Sequence, residues 1–85
     1  MNDLIAVTRE SEAPHSMYLR YADSAVTETI SLDDDHYVNV DFATDRSVVG
    51  IEIVFPAQES LQLVADFARE RQLSVAGVPQ IAQLA

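Results

Sequence analysis

The 85 residues contain no cysteine and no lysine. Without cysteine, neither a disulfide framework nor a thiolate metal site can staple so small a chain, and stability must come from a core or a partner. Losing cysteine and lysine together also removes two common nucleophiles. The two histidines, His15 and His36, and the serines show no nucleophile–base spacing, so no catalytic residue is assigned and an enzyme is not expected. Positive charge is scarce: five arginines face fourteen acidic residues, for a net charge of −9. Such a surface repels phosphates and anionic lipids at long range, which argues against direct nucleic-acid binding and favours either simple solubility or a basic protein partner. Long apolar runs are missing as well. Nothing approaches the roughly 20 residues of a membrane span, and Met1-Asn2-Asp3 does not begin a basic, apolar leader, so a soluble cytoplasmic protein is expected.

What is present is an apolar content of 48%. That suffices for one core in a single domain, residues 1–85, burying about 60 to 65% of the unfolded surface. Leu4 to Thr8 is apolar and partly β-branched, a short strand whose faces nothing fixes, and the polar stretch Arg9 to Ser16 is a loop around Pro14. Met17 to Ala22 has the aromatic content of a strand. In Val26 to Leu32 the period is two: Val26, Glu28, Ile30 and Leu32 share one face, and Thr27, Thr29 and Ser31 the other.

A tight loop at Asp34-Asp35-His36 places Ile30 opposite Val40, so that Val38, Val40 and Phe42 alternate with Tyr37, Asn39 and Asp41. The last residue of such a loop must tolerate a left-handed backbone, which accounts for His36. Val48 to Phe55 is the strongest strand signal. Pairing Val40 with Ile51 and Phe42 with Val49 keeps Val49, Ile51, Ile53 and Phe55 on the core side, with Gly50 opposite Asp41 and Glu52 opposite Asn39. Gly50 weakens a strong strand and so implies a bulge or the close approach of another group.

Pro56 stops this strand and opens an amphipathic helix from Ala57 to Gln72, with Leu61, Val64, Ala65 and Ala68 at helical spacing. The tail from Leu73 to Ala85 is either a short helix starting at Pro79 or a frayed end. The expected fold class is therefore α+β: an antiparallel β-meander of four to five strands with one C-terminal helix packed on one face.

Met17-Tyr18-Leu19-Arg20-Tyr21-Ala22-Asp23, Thr27-Glu28-Thr29, Val38-Asn39-Val40-Asp41 and Val48-Val49-Gly50-Ile51-Glu52-Ile53 together cover about half the chain. In these segments the sequence resembles a family of small, mostly bacterial proteins catalogued as domain of unknown function 2283. It departs from that pattern over Thr8 to Ser16, where the family usually has Tyr-Asp before a short acidic loop. The resemblance implies a fold without an agreed activity. Some members are encoded beside small toxin-like proteins, so it also implies, as one role, an antitoxin-like partner of a small basic toxin.

Two constellations have the side chains for chemistry. Asp33-Asp34-Asp35-His36 offers ligand types for a divalent metal, but residues on a tight turn diverge and the spacing of a calcium-binding loop is absent, so no metal site or cofactor is assigned. Asp41 and Glu52 are diagonal neighbours on the outer face, a candidate polar site for a small acid/base or metal-dependent enzyme. A flat sheet offers them no cleft in which to separate their pKa values.

The same outer face carries Tyr37, Val48 and Val54, a candidate interface. If Arg20 lies across from Glu28, Met17, Leu19 and Tyr21 join it; otherwise Tyr18 and Ala22 do. Such an apolar face calls for a cover: the C-terminal tail, a second copy, or another protein. The function expected on these grounds is a non-enzymatic interaction or regulatory module, self-associating as a dimer or bound to a basic protein.

Overall fold

The computed structural model describes residues 2–85. Five strands form one antiparallel sheet: β1 (Ala6–Arg9), β2 (Met17–Arg20), β3 (Glu28–Ser31), β4 (Val38–Phe42) and β5 (Val48–Ile53). Helix α1 (Gln58–Arg71) and the short helix α2 (Pro79–Ala82) follow. The class is α+β, with the helix on one face.

The strand order is β1-β2-β5-β4-β3. Strands β3, β4 and β5 are a continuous meander, and the β1–β2 hairpin joins it at β5 rather than at β3. Arg20 accordingly lies opposite Gly50 instead of Glu28. Polarity explains the order. β5 is the most apolar strand and takes the centre, where both neighbours bury it, while the polar β3 takes an edge. β1 is shifted slightly from the expected Leu4 to Thr8, pairing Ala6 with Arg20 and Arg9 with Met17.

The expected register holds over most of the meander: Ile30 faces Val40, Val40 faces Ile51, Asp41 faces Gly50 and Asn39 faces Glu52. It fails at one point. Phe42 pairs with Val48, not Val49, because a bulge leaves Val49 as an extra residue. The alternation then shifts, and Val48 turns into the core at 6% exposure instead of lying on the outer face. The bulge also lets the Val49 carbonyl accept from the Tyr21 and Ala22 N–H groups, which fastens the end of β2. Phe55 departs too: it lies beyond the strand and is exposed rather than part of the core.

Left-handed residues close the connections. His36, with φ 60°, ends the β3–β4 loop, where the Asp33 carboxylate accepts from the Tyr37 and Val38 N–H groups. Arg46, with φ 71°, serves the β4–β5 turn, and Gln72, with φ 58°, caps α1 so that the Leu73 N–H donates to the Ala68 carbonyl. Pro56 sits in the turn before α1, and Ala57 is the N-cap, so the helix starts slightly later than Pro56 suggests.

The core lies between sheet and helices. Leu19, Val38, Val40, Ile51 and Ile53 meet Val64, Ala65 and Ala68 of α1, and Met17, Leu19 and Tyr21 all point inward. The tail is not frayed. Leu73, Val75, Val78 and Ile81 are buried in the same cluster, the Tyr21 hydroxyl donates to the Ser74 carbonyl, and Asn2 bridges to Leu73. The tail therefore completes the helix-side core and leaves the outer face alone.

Candidate functional site

The outer face is a lattice of polar side chains placed by strand alternation. Tyr18 of β2, Thr29 of β3 and Asp41 of β4 form one group: the Tyr18 hydroxyl donates to Asp41 Oδ2 at 2.8 Å and the Thr29 hydroxyl to Oδ1 at 2.6 Å. Ser31, Asn39 and Glu52 form another. Ser31 donates to Asn39 Oδ1 at 2.6 Å, and Asn39 Nδ2 donates to Glu52 Oε1 at 3.1 Å and to the His36 carbonyl at 2.9 Å. His36 Nδ1 lies 2.6 Å from the same Ser31 hydroxyl.

Asp41 and Glu52 thus share the face expected of them, but each has its own partners, and no hydrogen bond joins them. Asp41 has both oxygens engaged by hydroxyl donors. Burial, followed by the hydrogen bond and negative charge of Asp41, pushes the Tyr18 phenol well above its ordinary value, so it stays a protonated donor at neutral pH. This arrangement fixes side chains across three strands.

Gly50 explains how Tyr18 reaches Asp41. The end of the tyrosine ring lies over the glycine, where a Cβ would overlap its hydroxyl and ring, with Cε2 at 2.6 Å. The missing side chain is the groove for the ring. Sequence alternation placed Tyr18 outside as one of two options, and Thr29, Ser31 and Asn39 on that face. Its bond to Asp41 depends on β2 pairing with β5, a non-local contact that local patterning does not carry.

At one end the lattice gives way to apolar surface. Tyr37 and Phe55 are 41% and 48% exposed, with ring centroids 5.8 Å apart, and half-buried Val54 joins them through its N–H bond to the Tyr37 carbonyl at 2.8 Å. Of the candidate interface, Tyr37 and Val54 stand together here. Val48 belongs to the core.

Among the described residues, no group of three or more histidine, cysteine, aspartate or glutamate side chains is placed to hold a metal ion, and no helix is long and apolar enough to cross a membrane. The arginines are largely engaged: Arg20 pairs with Asp23, Arg46 with Glu28 and Arg69 with Asp66, while Arg46 and Arg71 lie 5.5 and 5.3 Å from the centroid of the Phe42 ring. The chain matches no known family model, no characterised protein and no solved structure.

Proposed function

We propose that the protein is a non-enzymatic interaction module that self-associates through the patch formed by Tyr37, Val54 and Phe55. The observation that carries this is the pair of neighbouring, exposed aromatic rings at the end of a face whose other side chains hydrogen-bond one another. Aromatic side chains of this kind supply a large contact area at small entropic cost, and they dominate the energetics of interfaces. The tail, which in the same chain was the natural cover for this face, is committed to the opposite side. None of the three patch residues carries a charge.

Size exclusion with light scattering tests the proposal. A dimer is expected at high micromolar concentration, with Tyr37→Glu and Phe55→Glu shifting it to monomer while the unfolding midpoint of the monomer stays within the range of a surface substitution. A strictly monomeric wild-type protein under those conditions counts against it.

A further inference from the structure

The free edge of β3 is a second surface, separate from the aromatic patch. Leu32 donates its N–H to the Val38 carbonyl at 2.9 Å, and Ile30 faces Val40 in the same register. The alternation of an antiparallel ladder then turns the backbone N–H and C=O groups of Thr29 and Ser31 away from β4, toward open space. The side chains of these two residues are occupied on the outer face by Asp41 and Asn39, so they do not fold back over the edge. β3 has neither proline nor lysine to guard it.

On the helix side of the same edge, Ile30 is 39% exposed. Leu32 lines a groove of about 200 Å³ together with Leu63 and Phe67, and its rim carries the carboxylates of Asp66 and Glu70. An unpaired main-chain ladder, an apolar floor and an acidic rim coincide.

We infer that this edge receives an extended, basic segment of another protein, added as a sixth strand beside β3. Main-chain bonds to Thr29 and Ser31 would supply the common part of the affinity, and alternate side chains the selectivity. A lysine or arginine on the helix side lays its aliphatic stem over Ile30 and Leu32 and brings its charged head to Glu70, Asp66 being already paired with Arg69. Charge selects this occupant over a second copy. The chain carries −9, and three of its five arginines are already paired internally. Pairing β3 with β3 of another copy in a continuous antiparallel sheet puts both helices on one side and sets two acidic rims against each other.

The test is an amide NMR titration of the whole chain with three terminally blocked octapeptides. One alternates valine with lysine, one has glutamate in place of lysine, and one is the lysine peptide N-methylated on alternate residues along its pairing edge. Saturable shifts and slowed exchange at the Thr29 and Ser31 amides are expected with the first. The other two should bind about tenfold more weakly or worse, as should the lysine peptide to the folded variant Glu70→Gln. Tyr37→Glu should leave the titration unchanged, which keeps the outcome independent of self-association through the aromatic patch. The inference is overturned by the absence of saturable change at these amides up to about 1 mM peptide, or by equal binding of the acidic peptide. Protection of Thr29 and Ser31 that rises with protein concentration alone would also overturn it, by giving the edge to a second copy.

Discussion

Gly50→Ala is the substitution that most directly probes how the outer face is built. A Cβ at this position overlaps the Tyr18 hydroxyl and ring, and the obstruction is the end of a side chain, so relief comes from swinging the ring aside. That movement breaks the 2.8 Å bond to Asp41. A hydrogen bond to a charged acceptor contributes about 1.5 to 3 kcal/mol, toward the lower end for a half-exposed pair, and an off-rotamer tyrosine costs about 0.5 to 1.5 kcal/mol. Replacing glycine by alanine in a strand returns about 0.5 to 1 kcal/mol of backbone entropy. The net expectation is a destabilisation of about 1 to 2 kcal/mol, or a fall in urea midpoint of about 1 to 2 M for a chain of this size.

The discriminating measurement is the same substitution in a Tyr18→Ala background. With the ring gone, only the backbone term remains, and Gly50→Ala should be neutral or stabilising by up to about 1 kcal/mol. Urea unfolding of the four proteins, followed by far-ultraviolet circular dichroism, closes the cycle. If Gly50→Ala costs the same in both backgrounds, the ring is not the reason for the glycine.

Val48→Asp should abolish cooperative unfolding or cost at least about 3 kcal/mol, since it places an unpaired carboxylate in the core, whereas Val54→Asp should leave a folded chain; a folded Val48→Asp protein would contradict the bulge. Tyr21 links β2 to the tail, and burial pushes its phenol up to about 12. The native state therefore holds this proton more tightly than the unfolded chain, and the corresponding stability is intact below about pH 10 and lost as pH rises toward 12, at up to about 1.4 kcal/mol per unit. Tyr21→Phe should lose about 1 kcal/mol at neutral pH and show a shallower alkaline decline; an alkaline limb superimposable on the wild type would refute this. Ile81→Ala should cost about 2 to 5 kcal/mol by thermal or urea unfolding, because Ile81 is fully buried, and a cost near zero would mean that the tail does not stay docked.

Period-two alternation was enough to find β3, β4 and β5, their common inner face, and four of the five residue pairings proposed between β4 and its neighbours. It identified His36 as a left-handed residue and Gly50 as a site of close approach. It failed at Val48 because a single extra residue inverts the face of everything beyond it, and no local composition announces a bulge. It left the faces of Met17 to Tyr21 open because either set of residues could be buried, and only the pairing of β2 with β5 decides. Tyr37, Asp41 and Glu52 were placed on the outer face. So were Thr29 and Asn39, but the bond from Tyr18 to Asp41 was not, since Tyr18 comes from a strand distant in sequence. The β3 edge was invisible for a related reason: an edge is a property of strand order.

That strand order also shapes how the chain must assemble. Met17 pairs with Ile53 and Arg20 with Gly50, so the hairpin made first acquires its neighbour only when the last strand is in place. The β3–β4–β5 meander closes through short loops and can form early, while docking of the N-terminal hairpin requires a much larger loop to close and should come later. Until then the flank of β5 that receives β2 is itself an open edge, and it belongs to the most apolar strand of the protein. In this chain the interval of greatest exposure to aggregation thus precedes the arrival of two strands that were synthesised before all the others.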